Sequence, residues 1–147
     1  MGGLLLVVAG VVLALAFGTF AEYIFHWCLH NINMGVASRI HHKHHTDNDT
    51  KHWLKECLLY YCPVAIPPSL FFLLINWNFG VGWLLGGILY VMVFTAAHII
   101  QHDYHKAVWW MRYPIHYWHH KHYRGTANYG VTTDIWDKIF GTYKECK

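Results

Sequence analysis

An all-α integral membrane fold, with about three transmembrane helices and a histidine-rich helical metal domain facing the cytosol, is predicted by three features of this 147-residue chain. The composition is 55% hydrophobic and only 13% charged, against the roughly 25% charged residues of soluble domains. Three apolar segments, about 4–25, 58–75 and 81–97, are long enough to count as spans. Fourteen histidines lie outside those segments, and ten of them recur at helical spacing. At this length the chain reads as a single domain, 1–147.

The first span, from Leu4 to Phe25, carries no charge before Glu22. A cleaved leader would want a basic start, which Met1-Gly2-Gly3 lacks, and Glu22, His26 and His30 continue the same helix, so a permanent span is expected. Residues 31–56 are polar and hold a dense histidine box, followed by the turn-rich Thr46-Asp47-Asn48-Asp49-Thr50. The second segment, Leu58 to Ile75, contains Pro63, Pro67 and Pro68, which usually bend or break helices. Asn76 to Gly80 reads as a tight turn with an interfacial Trp77. The third segment, Val81 to Ala97, runs straight into His98 and His102. Trp109, Trp110 and Tyr113 suit the headgroup level. A short helix is expected over Ile115 to His122. A second, amphipathic one follows, with Thr133 as N-cap, Ile135, Trp136, Ile139 and Phe140 as its apolar stripe, and Gly141 as its stop.

All 11 Lys and Arg residues lie on the side of the histidines, and the opposite side, Met1–Gly3 with Asn76–Gly80, has none. By the positive-inside rule the histidines face the cytoplasm. The net charge of +3 comes from scattered residues, which argues against nucleic acid. Cys28, Cys57, Cys62 and Cys146 form no metal or disulfide pattern and read as small apolar residues.

The ten histidines form four clusters. His41, His44 and His45 share one helix face at i, i+3, i+4, and His116, His119 and His120 repeat that spacing. His26 with His30, and His98 with His102, are i, i+4 pairs. Imidazole is the commonest metal side-chain ligand, and ten suit two ions with five ligands each, leaving an open position on each ion. His42 and His52 are not expected to be ligands. His122 stays open, and His105, at i+7 from His98, could assist or replace His102. Glu22, one turn before His26, is expected to accept the second ring N–H of a ligand histidine, with Asp103, Asp134 and Asp137 as weaker candidates. A histidine-rich membrane metal-binding or transport protein is the alternative, although transport needs polar groups across the spans and these are apolar.

Four boxes, His26-x3-His30, His41-x2-His44-His45, His98-x3-His102 and His116-x2-His119-His120, resemble the fatty acid hydroxylase/sterol desaturase superfamily. The tail Asn128-Tyr129-Gly130, then Trp136-Asp137 and Phe140-Gly141-Thr142, is similar to that superfamily's C-terminal signature, and Glu22-Tyr23 is similar to its fatty acid 2-hydroxylase branch. The resemblance implies a cytosol-facing di-iron centre that uses O2 as co-substrate to hydroxylate or desaturate a lipid C–H bond, on an acyl chain or a sterol-like lipid. Zinc has no redox chemistry, so two Fe ions are the expected cofactors even where Zn fills the sites in a preparation. The lipid is expected to enter from the bilayer. No flavin, nucleotide or iron–sulfur motif is present, so electrons are expected from an external donor protein.

The charge asymmetry generates a topological prediction. A cysteine placed at Asn78, in a background without native cysteines, labels with an impermeant reagent added to intact cells. Labelling only after permeabilisation overturns the orientation.

Overall fold

The computed structural model describes residues 2–48, 50 and 62–146, and every described element is helical or irregular. Helix α1 spans Gly2–Asn31 and α2 spans Val36–Asp47. Helix α3 spans Cys62–Ile75 and α4 spans Trp77–Asp103. A turn of α-helix, α5 (Ile115–Trp118), runs into a π-helical turn at His119–Tyr123, and α6 (Ile135–Phe140) closes the order. The chain divides into two compact units, one of residues 1–21 with 54–93, the other of residues 22–53 with 94–147.

The first unit is built from apolar helices. α1 and α4 are long and apolar enough to cross a membrane, with 30 and 27 residues. A bilayer core takes about 20 helical residues. α1 therefore exceeds it by nearly three turns and α4 by about two, and the excess carries Glu22, His26 and His30 on α1 and His98 and His102 on α4. Leu4, Leu5, Val8 and Val12 of α1 point outward and are exposed, which suits a lipid solvent. The described part of the second apolar segment is the 14-residue α3, and the expected start at 58–61 lies outside the described residues. Pro67 and Pro68 sit inside that helix without ending it, and Ser69 Oγ donates to Ala65 O at 2.7 Å beside them.

The expected turn at Asn76–Gly80 is shorter than its sequence implied. Only Asn76 lies outside helix, because its side chain caps α4: Oδ1 accepts the Phe79 N–H at 3.1 Å. Trp77 to Gly80 are the first turn of α4.

Glycine sets how closely α1 and α4 approach. A Cβ on Gly10 would lie 2.7 Å from Trp83 N, and one on Gly86 would lie 2.6 Å from Val11 O and 2.8 Å from Ala14 Cβ. A Cβ on Gly82 would strike Val7 O, a backbone atom that cannot rotate away. In lipid, where apolar burial between helices gives little driving force, such backbone approach supplies the packing.

The second unit has a small apolar core of Ala97, Val108, Met111, Ile115, Trp118 and Val131. Beyond α4 the chain is irregular up to α5. α2 has Gly35 as its N-cap, whose φ 65° with ψ −118° lies outside the left-handed helical region that other residues visit, and it stops at Asn48 in that region. α6 has Asp134 as its N-cap and ends at Gly141 with φ 72°. Its Ile135, Ile139 and Phe140 are exposed, and Asp137 is its buried residue.

The glycine contacts predict a contrast between neighbours. Gly82→Ala destabilises the detergent-solubilised protein by about 1–3 kcal/mol, the usual range for overpacking. Gly87→Ala, where a Cβ meets nothing within 4 Å, leaves the thermal midpoint unchanged or slightly raised. Equal midpoints for the two variants would remove the close crossing.

Candidate metal centre

Each histidine cluster is delivered by a helix. α1 brings His26 and His30, α2 brings His41, His44 and His45, α4 brings His98 and His102, and the α5–π turn brings His116, His119 and His120. Nine of these ten form two groups. His26, His30, His41, His45 and His119 make the first, and His44, His98, His102 and His120 the second; in each, one ligand atom per residue lies within 4.8 Å of every other. His116 stands beside the second group, its ring centroid 4.8 Å from that of His98 and 4.7 Å from that of His120. The two groups share a wall, where the His45 and His120 rings stack at 3.9 Å.

The split follows helical geometry. In the first box, His41 and His45 are i, i+4 and serve one group, while His44 points to the other. In the second box the sense is reversed: His119 joins the first group, and His120 joins the second with its i−4 neighbour His116 beside it. Each group so draws an i, i+4 pair from one long helix and an odd histidine from the opposite box. The π-helical turn begins at His119; such turns alter side-chain register and are frequent at functional sites.

The nitrogen geometry fits metal ligation. His30 Nε2 lies 2.8 Å from His41 Nε2, 3.0 Å from His45 Nε2 and 3.0 Å from His119 Nε2. Nitrogens at right angles around an ion, each about 2.1 Å from it, sit about 3 Å apart. His26 Nδ1 is 2.5 Å from Tyr129 O, and His119 Nδ1 is 2.7 Å from Ala127 O. A carbonyl only accepts, so each Nδ1 carries the proton and each Nε2 turns a lone pair inward. Among the described residues, His26 Nε2 and both ring nitrogens of His116 and His120 are buried without a hydrogen-bond partner. In each neutral ring one nitrogen is N–H and the other holds the lone pair, and a metal ion accounts for that lone pair where a packed polar core does not. The donor set is imidazole throughout, which suits Fe, Zn, Cu or Ni.

Burial sets the charge state. It pushes the His41, His116 and His119 pKa values well below the usual imidazole value, and that of His45 down to about 2, with neighbouring histidines adding to the effect. His120 is lowered by the same causes. These rings are held neutral, the form that ligates.

Other candidates fall outside the cluster. α4 ends at Asp103, so His105 leaves the face it would have shared with His98; it adopts φ 56°, is exposed and packs on Tyr117 at 4.3 Å. His122 is exposed and also lies near Tyr117. His42 is exposed and lines a surface cavity of about 600 Å³ with Arg39 and Ser38. His52 lies outside the described residues.

Of the four candidate carboxylates, Asp103 approaches a ligand-histidine ring nitrogen as expected, while Glu22, Asp134 and Asp137 hold other partners. Glu22 does not meet the ring of His26, whose Nδ1 is on Tyr129 O. Its Oε1 accepts the Val131 N–H at 2.5 Å and the Thr132 N–H at 2.9 Å, and its Oε2 accepts the Thr132 hydroxyl at 2.9 Å. Asp137, fully buried, accepts the Tyr129 and Gly130 N–H groups at 2.8 Å each and the Thr142 hydroxyl at 2.7 Å. Burial pushes the Asp137 carboxyl up, and these bonds pull it back. Asp103 Oδ1 approaches His102 Nδ1 at 3.5 Å, and Asp134 pairs with Lys138 at 2.7 Å.

Gln101 has a role that the spacing arguments passed over. It is fully buried; its Nε2 donates to Val131 O at 2.6 Å and its Oε1 accepts the His116 N–H at 3.0 Å. The available signal was an amide in an otherwise apolar run between two ligand histidines.

The match to the fatty acid hydroxylase family model covers residues 11–142. No curated protein and no solved structure matches the chain.

The grouping predicts separable metal losses. His119→Ala loses the metal of the first group and His98→Ala that of the second, each with affinity down by at least about 10–100-fold, since even indirect partners matter that much. His42→Ala keeps both. Metal per purified chain, by elemental mass spectrometry, checks this, and equal loss from all three variants overturns the grouping.

Proposed function

The chain belongs to the fatty acid hydroxylase family, and from that premise we propose that it is a membrane-bound, O2-dependent oxidoreductase that hydroxylates, or desaturates, a C–H bond of an acyl chain or sterol-like lipid. The observation that carries this reading is the pair of adjacent imidazole groups, four or five rings each, with the lone pairs of His26 and His119 turned inward. In the proposal His26, His30, His41, His45 and His119 hold one iron, and His44, His98, His102, His116 and His120 hold the other. Five nitrogens leave one position open on each ion of octahedral preference. A bound pair of iron ions supplies the redox chemistry that O2 activation and C–H cleavage require, whereas zinc in the same donors does not.

This chain's own residues supply position and environment. Neutral rings hold the ions without adding positive charge. The Tyr129 and Ala127 carbonyls fix two rings in the Nδ1–H form. Phe94, 5.6 Å from His98 between ring centroids, places an apolar face beside the second group. The lipid reaches the site from the bilayer. Hydroxylation inserts one oxygen atom of O2 and reduces the other to water, so a separate donor protein delivers two electrons, and two protons come with them. The positive-inside bias supports a cytoplasmic face for the histidine groups, where the external donor protein has access.

The integral membrane character rests on two apolar helices together with the family. A metal-handling role without oxygenase chemistry is the rival, and host lipids separate the two. Lipid mass spectrometry of a host expressing the protein is expected to show a new hydroxylated or unsaturated species that is absent with His44→Ala. Altered metal content or tolerance, with an unchanged lipid profile, overturns the oxygenase reading.

A further inference from the structure

Four consecutive backbone N–H groups, from Tyr129 to Thr132, are bound by two buried carboxylates that lie far apart in sequence. Asp137 takes Tyr129 and Gly130, and Glu22 takes Val131 and Thr132. Three of the four carbonyls of the same stretch are bound as well: Tyr129 O meets His26 Nδ1, Val131 O accepts from Gln101, and Thr132 O accepts from Trp110 Nε1 at 2.8 Å. Just upstream, Ala127 O meets His119 Nδ1, and Asn128 is held on both sides by Lys144, its Oδ1 accepting at 2.8 Å and its Nδ2 donating at 2.9 Å. Gly130 fits this grip because a Cβ there would lie 2.9 Å from Asp137 Oδ2 and would strike Thr133 O. Tyr23, next to Glu22, closes the same junction, its hydroxyl 3.0 Å from Thr142 Oγ1 and its ring stacked on Phe140 at 5.2 Å.

We infer that Glu22 and Asp137 are positioning residues for the first metal group: by gripping the backbone of residues 129–132 they hold the Tyr129 and Ala127 carbonyls on His26 and His119 and commit both rings to presenting Nε2. The inference rests on the metal-centre reading above, but its direct consequence, the ring tautomers, exists without metal. An irregular segment has no helical ladder to fix its carbonyls, so its aim must come from what binds its N–H groups. Bonds to an ionised acceptor are stronger than neutral ones and leave less play.

The two carboxylates respond differently to amide replacement. Glu22 Oε1 accepts both backbone N–H groups, and Oε2 meets a hydroxyl, which donates or accepts by rotating. A glutamine oxygen at the first place and its NH2 at the second keep these three bonds. At Asp137 both oxygens accept backbone N–H groups, so an asparagine NH2 faces an N–H donor in either orientation.

The test uses the full chain in nanodiscs, labelled with ring-¹⁵N histidine and measured without metal, followed by Fe(II) titration of the same samples. Wild type is expected to show His26 and His119 fixed as Nδ1–H tautomers. Glu22→Gln keeps those tautomers and the Fe(II) affinity. Glu22→Ala and Asp137→Asn lose the fixed tautomers, and Fe(II) affinity of the first group falls about 10–100-fold. Either ring as the Nε2–H tautomer in wild type overturns the inference, and that outcome needs no variant to fold. Fixed tautomers retained in Glu22→Ala or Asp137→Asn overturn it too, as does a Glu22→Gln protein that behaves like Glu22→Ala. A wild type with both rings fixed that takes up no Fe(II) supports the grip and overturns the metal-centre reading instead.

Discussion

Crowding of imidazole lone pairs is the constraint that the second unit is built to satisfy. Four Nε2 atoms of the first group lie between 2.8 and 3.3 Å from their neighbours. Without a cation between them, neutral nitrogens at that distance bond only in donor–acceptor pairs, and His119 Nε2 is barred from donating because the ring's one proton is on Nδ1, which donates it to Ala127 O. Burial blocks the other escape, since it pushes His41, His45 and His119 away from protonation. Such an array persists only where its backbone is held from outside, or where a metal replaces the missing donors. The holding elements are visible: two long helices, a capped α2, and a tail gripped by Glu22 and Asp137.

The helical period then decides which histidine serves which group. Around a helix the i+4 residue turns about 40° to one side of residue i and the i+3 residue about 60° to the other, so these two diverge by about 100° within one face. An H-x-x-H-H box on a helix therefore spans two adjacent groups, and two boxes facing one another exchange their odd members. His44 and His119 are those members. Their exchange ties the groups into one body, because moving α2 or the α5–π turn disturbs both. In the second box, as in the first, the two adjacent histidines serve opposite groups: His119 and His120, at the start of the π-helical turn, have ring centroids 5.6 Å apart, against 6.0 Å for His44 and His45.

Much of this was legible from residue types. Apolar length marked α1 and α4, and spacing marked the ten histidines, because side-chain identity and helical period are both written in the chain. What lay beyond reach was written in the backbone. The carbonyls of Tyr129 and Ala127 belong to no residue type, so His26 and His119 could not be matched to their acceptors, and Glu22, the one acidic residue near His26, looked like the natural partner. His105 shared a face with His98 only while α4 continued, and the helix ends at Asp103. The expected turn after α3 contracts to Asn76 because one side-chain amide caps α4. Each miss is a hydrogen bond made by main chain, or a helix end fixed by one.

Rigidity in this architecture comes from two sources that fail in different ways. His26, His30, His98 and His102 ride on helices of 30 and 27 residues whose ladders aim them continuously, and a helix aims side chains better than a loop does. The carbonyls that orient His26 and His119 lie on irregular chain with no ladder of its own. Two carboxylates supply the missing order, one from α1, a turn before His26, and one from α6. Since Glu22 lies one turn from His26, the same helix that presents the ring also grips the segment that orients it. The ring and its acceptor then move as one body, and a shift of α1 leaves their geometry intact.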